Sequence, residues 1–235
     1  MSQGWRLIND LPLSGEDNMA IDRQLYRQFK AGDSPSLRFY QWSEPTVSFG
    51  RLQKPPKAFL DRLIRYQIPW VKRPTGGQAI LHSGDLCIGI VGGPSAGFKP
   101  SILETHAILG QAFISGLTSL GVSAQLGNMN GKSKPLTHCF EQVTQADIHI
   151  AGQKLLGGAQ IRSRSAFLQE SVIYLNCDQA LMCRLFQSVG TSYRDLISFF
   201  PDLDAPTLKK ALIHGFETVF KMKFQPEVSS MGVLR

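Results

Sequence analysis

Short strand patterns separated by turn residues fill most of the first three quarters of this 235-residue chain. Examples are the apolar runs at 37–42, 46–49 and 86–91, which have the length of strands and the composition of sheet interiors. From about residue 178 onward, apolar residues instead recur at helical spacing. This order predicts an α+β fold in which helices flank a mixed, largely antiparallel sheet.

Three helices are predicted before that C-terminal segment. Apolar stripes indicate helices over 15–30 and 57–66, and a third begins where Ser101 can cap a backbone N–H and Glu104 can complete a capping box. His106 lies on the apolar face of the third helix, which is typical of a hydrogen-bonded core histidine rather than a ligand or base.

The length fits one domain over 1–235, or at most two small ones, and we expect a single domain with the helical segment from about 178 packed on it. Hydrophobic residues make up 43% and charged residues 18%, as in ordinary globular proteins. The N-terminus lacks the pattern of a secretory signal, so we expect a cytoplasmic protein. The longest uncharged stretch, 107–131, is too polar for a membrane span and is interpreted as a buried helix plus a loop.

The net charge of +7 raises the question of an anionic partner. The basic residues are scattered, and no aromatic residues alternate with a basic stripe in the manner of single-strand binders. We therefore expect no nucleic-acid partner. An acidic protein partner is compatible with the charge, although charge alone does not select it.

The four cysteines lack the paired spacing of a zinc site, and we expect free thiols and no structural metal. Cys87, Cys177 and Cys183 lie in hydrophobic runs and are predicted to be buried. Cys139 differs because it lies in a polar loop, 132–142.

Cys139 and Lys154 form a candidate acyl-transfer pair. A cysteine attacks as the thiolate, and its ordinary pKa of about 8.5 must be lowered by a nearby cation, a role that Lys154 can fill. Such a thiolate exchanges with thioesters, and Lys154 could also stabilise the carbonyl oxygen. The alternatives are a partly buried thiol and an exposed strand lysine. His138 is a less suitable base, because in an extended chain it faces away from its neighbour Cys139.

On this hypothesis, we expect Lys154→Ala to suppress acylation and to leave the fold intact.

Upstream, the segment VKRPTGGQAILH (71–82) places glycine backbone N–H groups beside Arg73. This combination suits a carboxylate, a phosphate or a polarised carbonyl, although glycine pairs also occur in plain turns.

The order of these segments resembles the lipoate-protein ligase and biotin ligase superfamily, and within it the cysteine-dependent octanoyltransferases of the ligase-A-like branch. The resemblance covers about two thirds of the chain in family order. The matching stretches are NMAIDRQLY (18–26), LRFYQWSEPTVSFGRLQ (37–53), VKRPTGGQAILH (71–82), HCF (138–140) and DIHIAGQKLLGGAQIR (147–162).

The resemblance implies an enzyme that takes an octanoyl group from acyl carrier protein and transfers it to a lysine of a lipoyl domain or of the glycine-cleavage H protein, without a cofactor. Both partners are typically acidic. It also implies that Cys139 is the acyl-carrying nucleophile and Lys154 the family's site lysine. The loop that lines the acyl site matches four residues: Arg73, Gly76, Gly77 and His82.

The chain departs from the family pattern at Gln78, Gly158 and Glu170, near the expected acyl pocket. In place of Glu170 the family tends to have histidine. Three other functions therefore stay open: an ATP-dependent lipoate-protein ligase, an amidotransferase between lipoyl carriers, and a noncatalytic paralogue that binds a lipoyl domain or acyl carrier.

Overall fold

The computed structural model describes residues 4–127, 147–187 and 195–225. The helices in these ranges are α1 (Gly15–Gln28), α2 (Lys57–Arg65), α3 (Ile102–Ser119), α4 (Gln179–Phe186) and α5 (Ala205–Phe220). The strands are β1 (Arg6–Asn9), β2 (Ser36–Tyr40), β3 (Thr46–Phe49), β4 (Trp70–Lys72), β5 (Ile80–His82), β6 (Asp85–Gly92), β7 (Gln125–Leu126), β8 (Ile148–Ile150), β9 (Gln153–Arg162) and β10 (Phe167–Tyr174).

Seven strands form the main sheet in the order β1-β2-β6-β10-β9-β8-β7. Only the pair β1 and β2 is parallel among its described strands, and the other neighbours are antiparallel. The predicted α+β class with a mixed, largely antiparallel sheet is confirmed. A second sheet of three strands, β4-β3-β5, was not predicted, because its pairings join segments far apart in the sequence.

Helices α3 and α5 cover one face of the main sheet. They cross closely because both carry glycine at the contact: a Cβ atom on Gly215 would lie 2.4 Å from the backbone nitrogen of Gly116. Phe113 of α3 and Phe216 of α5 meet edge to face, with ring centroids 5.1 Å apart, above the sheet. The helical C-terminal segment thus builds the larger hydrophobic core.

The opposite face of the main sheet is covered by α1 and by the three-stranded sheet. Successive strand residues point to opposite faces, so Ile90 joins the core under α3 and α5 whereas Val91 packs beneath Ile21 of α1. Val47 and Phe49 of β3 pack in a further cluster on this second face. The space between the two sheets is where the candidate site lies.

Helix α4 packs against α2 at the edge of this layer. The rings of Phe59 and Phe186 lie 5.0 Å apart, and Arg62 Nε donates to the carbonyl oxygen of Leu185 at 2.7 Å. In the part of the chain that the structure describes, no helix combines the length and apolar character needed to cross a membrane.

The predicted start of α3 is confirmed: Ser101 Oγ accepts from the backbone N–H of Glu104 at 3.3 Å. Burial of His106 is also confirmed, but the expected hydrogen bond is absent at its Nδ1. Burial lowers the pKa of His106 to about 4, so its imidazole is neutral at pH 7. Cys87 and Cys177 are buried as predicted, whereas the prediction for Cys183 is wrong, since it lies exposed on α4.

A buried arginine ties α1 to the main sheet. Arg38 of β2 is fully buried, and its guanidinium contacts Asp10 at 2.7 Å and Asp22 at 2.8 Å. It also donates to the backbone and side-chain oxygens of Asn18 at 3.2 and 2.9 Å. These bonds connect the end of β1, the sheet and the first turns of α1.

We expect Arg38→Met to lower the free energy of unfolding by about 3–5 kcal/mol, because it removes the positive charge that compensates two buried carboxylates. Urea unfolding followed by circular dichroism measures the change. The control is Lys57→Met, which removes an exposed ion pair with Asp61 and should cost no more than about 0.5 kcal/mol. Equal costs for the two variants would contradict a structural role for the buried cluster.

Candidate active site

A narrow pocket lies between the two sheets; it encloses a cavity of only about 20 Å³ and reaches about 360 Å³ when the space at its open mouth is included. This central pocket combines apolar side chains, small residues that leave room for a ligand, and a few polar groups. Its lining residues are Met19, Tyr40, Trp42, Ile80 and Val172, then Gly157, Gly158 and Ala159, then Ser48, Arg73, His82 and Glu170. This mixture is typical of a site that holds an apolar ligand in a defined orientation.

Arg73 holds the loop at the mouth of this pocket. Its Nε and Nη2 donate to the carbonyl oxygen of Gly76 at 3.1 and 2.6 Å, and Nη2 also donates to that of Gln78 at 2.8 Å. Its Nη1 donates to the carbonyl and hydroxyl oxygens of Ser48 at 3.0 and 3.1 Å. These bonds use all five N–H donors of a guanidinium. Arg73 therefore positions the loop, and a direct side-chain contact with substrate stays a prediction.

Gly76 and Gly77 lie beside the central pocket rather than in it. They line an adjoining groove, here the outer groove, together with Gln78 and Arg51. Gly77 has φ of +90°, a conformation that favours glycine, and its carbonyl oxygen would lie 1.9 Å from a Cβ atom at Gly50. Gly50 and Gly77 are therefore required where the loop crosses the turn after β3, whereas a Cβ atom at Gly76 would meet open space.

His82 stands in a cluster of hydrogen bonds on the pocket wall. Its Nδ1 lies 2.6 Å from Asp85 Oδ2, and the indole of Trp42 stacks on its ring at 4.0 Å. Cys87 donates to the same Asp85 oxygen at 3.3 Å and accepts from Trp42 Nε1 at 3.1 Å. Burial raises the pKa of the Cys87 thiol, and Asp85 raises it further, so Cys87 is a thiol and not a competing nucleophile.

The donor atoms of His82, Asp85 and Cys87 lie within 4.8 Å of one another, a spacing that a metal ion could use. Hydrogen bonds within the cluster account for the same arrangement. We therefore assign these residues as a hydrogen-bonded cluster.

Glu170 is a buried carboxyl group in the central pocket. Its Oε2 accepts from the backbone N–H of Thr75 at 3.3 Å and from the Thr75 hydroxyl, while its Oε1 has no hydrogen-bond partner. Burial raises the pKa of Glu170 to about 8, with a further contribution from Asp22. Of the departures from the family pattern, Glu170 and Gly158 thus line the central pocket and Gln78 lines the outer groove.

Lys154 is buried, with 2% of its side chain exposed, so the alternative of an exposed strand lysine is wrong. Its Nζ lies 2.9 Å from Asp147 Oδ1. On β8, Ile148 and His149 pair with Leu156 and Lys154, so β9 carries one extra residue there. Leu155 and Leu156 both enter the main core at this bulge, which turns Lys154 toward the other face, on which the central pocket lies.

Cys139 and His138 lie outside the described residues. The contact between Cys139 and Lys154 accordingly stays a prediction. Among the other predicted residues, the structure brings Arg73 and His82 together in one pocket and places the glycine pair at its rim, whereas Lys154 is not among the residues that line this pocket or the outer groove.

Sequence reasoning missed Ser48, Asp85 and Trp42 as site residues. The spacing of His82 and Asp85 across a Ser-Gly turn was a usable signal, because it favours contact between residues three apart. Ser48 and Trp42 carried no such signal, since the pairing of β3 with β5 brings Ser48 to His82 and Trp42 stacks on its ring from a segment far away in the sequence.

The buried ion pair alters the expectation for Lys154→Ala. Removing the ammonium takes a counter-charge away from the buried carboxylate of Asp147, so we now expect a loss of about 3–5 kcal/mol in the free energy of unfolding. The double variant Lys154→Ala/Asp147→Ala should recover much of that stability without recovering acyl transfer. Urea unfolding and a transfer assay on the three proteins test this. Full transfer by the double variant would show that Lys154 serves only the fold.

Glu170 predicts a pH dependence of stability. Because the folded state raises its pKa from 4.5 to about 8, the folded protein holds a proton that the unfolded chain releases as pH rises between those values. The stabilisation that this proton gives the folded state is fully present below pH 4.5 and is lost as the pH rises through 8. The free energy of unfolding should therefore fall by at most about 1.4 kcal/mol per pH unit in this range. Glu170→Gln should remove this slope, measured by urea unfolding from pH 5 to 8, whereas Glu104→Gln on the surface should retain it.

Comparison with known proteins supports a single family. The sequence pattern described as the lipoyl protein ligase A/B catalytic domain matches residues 14–217. An octanoyltransferase LipM from Carboxydothermus hydrogenoformans is 29% identical, with 94% of this chain and 88% of that protein covered. Another LipM, from Oceanobacillus iheyensis, is 31% identical over 80% of this chain and 70% of its own length.

Among solved structures, a lipoate-protein ligase A bound with ATP is similar with a TM-score of 0.81 and 25% identity. The similarity covers 97% of this chain and 90% of that one. The two chains therefore share one architecture over nearly their whole length. The chain belongs to the lipoyl protein ligase A/B catalytic domain family.

Proposed function

We propose that this chain is an octanoyltransferase of lipoate biosynthesis. Octanoyl is taken from acyl carrier protein, carried as a thioester on Cys139, and passed to a lysine of a lipoyl domain or of the glycine-cleavage H protein. The observation that carries the proposal is the similarity to proteins named octanoyltransferase over nearly the whole chain. No cofactor is required, because the thioester supplies the free energy for amide formation.

The central pocket supports an acyl substrate. Its apolar lining, with Met19, Ile80 and Val172 among its members, suits a saturated chain, and Gly157 and Gly158 leave room beside β9. An octanoyl chain buried here would leave its carbonyl end as the polar group to be recognised.

The chemistry has two balanced steps. The Cys139 thiolate attacks the carbonyl carbon of the donor thioester, a new C–S bond forms, and the donor thiolate leaves. The neutral acceptor amine then attacks the Cys139 thioester, an amide forms, and the cysteine thiolate is released as the amine loses a proton.

Lys154 is the proposed donor to the carbonyl oxygen in both steps. Asp147 holds the ammonium in a fixed position, so little reorganisation is needed when negative charge develops. One such donor contributes about 2.7–4 kcal/mol to transition-state stabilisation.

Charge on the grooves beside the pocket supports an acidic carrier as partner. The outer groove adjoins a second groove, the side groove, which shares Arg51 and Pro74 with it. Among the described residues that line the two grooves, six are basic and none is acidic. The basic residues are Arg23, Arg27, Arg51, Lys72, Arg73 and Arg162.

Intact-mass measurement after incubation with octanoyl acyl carrier protein tests the enzyme. We expect a covalent octanoyl adduct that is absent in Cys139→Ser, and transfer of that adduct to an added lipoyl domain. Binding without an adduct would instead favour a noncatalytic paralogue. If an octanoylated or lipoylated H protein served as donor in place of acyl carrier protein, the amidotransferase would be supported.

The ATP-dependent ligase is the second candidate, because the similar solved structure is a ligase bound with ATP. Acceptor modification that needs both ATP and free lipoate, and that persists in Cys139→Ser, would establish that reaction and contradict the thioester route.

Reversal of charge in the grooves tests the carrier-protein partner. Arg27→Glu/Arg51→Glu should raise KM for octanoyl carrier protein roughly tenfold or more and leave KM for octanoyl-pantetheine unchanged, since only the protein donor is acidic. Arg65→Glu/Lys210→Glu changes the net charge equally at exposed positions outside both grooves and is the matched control. Equal effects of the two double variants would contradict docking at the grooves.

A further inference from the structure

Ser48, His82 and Asp85 form a continuous line of hydrogen bonds on the wall of the central pocket. Ser48 Oγ lies 2.8 Å from His82 Nε2, and His82 Nδ1 lies 2.6 Å from Asp85 Oδ2. Ser48 and His82 both line the pocket. A hydroxyl, an imidazole and a carboxylate are thus connected in the order that serine hydrolases use.

The donor and acceptor roles follow from the chemistry of the groups. An ionised Asp85 can only accept, so His82 Nδ1 is the donor of their hydrogen bond. In the tautomer that carries its proton on Nδ1, His82 Nε2 accepts and the Ser48 hydroxyl donates to it. Arg73 Nη1 donates to Ser48 Oγ at 3.1 Å and occupies one of the lone pairs of that oxygen, which agrees with the Ser48 proton pointing at His82. This is the tautomer in which a histidine activates a serine.

The surrounding structure holds the three groups rigidly. Ser48 lies on β3 between two strands, paired with Val71 and Ile80. The stacked indole of Trp42 fixes the plane of the His82 ring. Such support keeps a nucleophile and its base aligned when a substrate enters.

Arg73 adds a positive charge next to the serine oxygen. A guanidinium at this position stabilises negative charge that develops on Ser48 Oγ. Because Arg73 is held by the loop carbonyls of Gly76 and Gln78, it does not need to move for this effect.

We propose that Ser48, His82 and Asp85 form a second nucleophilic site that hydrolyses acyl thioesters without Cys139. The substrate class is a medium-chain acyl thioester bound in the central pocket. The inference rests on the proposed function only in taking that pocket as the acyl site. Its product is the free fatty acid, so the site would hydrolyse acyl thioesters whose acyl group is not transferred to an acceptor lysine.

The reaction is balanced in two steps. Ser48 Oγ attacks the thioester carbonyl, its proton moves to His82 Nε2, and the departing thiolate takes that proton to leave as a thiol. Water then attacks the Ser48 ester, gives a proton to His82, and the carboxylic acid is released as the proton returns to the Ser48 oxygen.

The test uses the full chain with Cys139→Ala, which removes the proposed thioester route. This variant should release free octanoate from octanoyl-pantetheine, and adding Ser48→Ala should lower that rate by roughly a hundredfold. A fluorophosphonate probe should add one phosphonyl group, with loss of fluoride, and peptide mapping should place it on Ser48.

Two further variants separate catalysis from packing. Ser171→Ala removes a buried strand serine that bonds to Gln169 instead of a histidine, and it should leave both hydrolysis and labelling unchanged. Asp85→Asn should reduce both while retaining the melting temperature within a few degrees, because it disfavours the required tautomer.

Absence of octanoate release and of probe labelling in folded Cys139→Ala would overturn the proposal, as would labelling at a residue other than Ser48. Failure of the proposed function looks different: the wild-type protein would then form no Cys139 adduct with octanoyl carrier protein, whatever the behaviour of Ser48.

Discussion

The buried guanidinium of Arg38 is the interaction on which the layered structure depends. It bonds to the end of β1 through Asp10 and to α1 through Asn18 and Asp22, all within an apolar interior. Moving one partner away would leave a buried charge without its counter-charge, which is energetically unfavourable. The end of β1, the sheet and α1 are therefore held together as one unit. Because Met19 of α1 lines the central pocket, the same cluster sets one of its walls.

A second arginine, Arg73, holds the site in place. Arg73 uses its five donors on Ser48, Gly76 and Gln78, which joins the three-stranded sheet to the glycine loop. The loop in turn presents Thr75 to Glu170 of the main sheet. Two sheets that share no strand pairing in the described residues are thus held at a defined separation, and the pocket occupies the space between them.

Local sequence patterns predicted much of this architecture correctly. The cap at Ser101, the apolar stripe of α3 and the strand at 46–49 depend on neighbours close in sequence, and all three are present. Helix α1 ends at Gln28 rather than at the predicted Lys30, because Phe29 adopts an extended backbone conformation at its C-terminal end. Ends of elements respond to packing as well as to local preference.

The sequence likewise predicted some features of the candidate site and missed others. Arg73 and the glycine pair were recognisable because the sequence places a cation and flexible backbone together in one short segment. Lys154 was recognisable as a residue, but its burial and its partner Asp147 were not. One extra residue in β9 decides which face Lys154 occupies, and the alternation of apolar residues does not reveal such a bulge.

The sequence by itself determined the fold class, the helices with strong caps and stripes, and the residue types from which the site is built. Only the tertiary structure decided that Ser48 meets His82, that Glu170 is buried near Asp22, and that two sheets enclose a pocket. The reason is physical. Helix and strand preferences act over a few residues, whereas hydrogen-bond geometry and the desolvation of charges depend on which distant segments pack together.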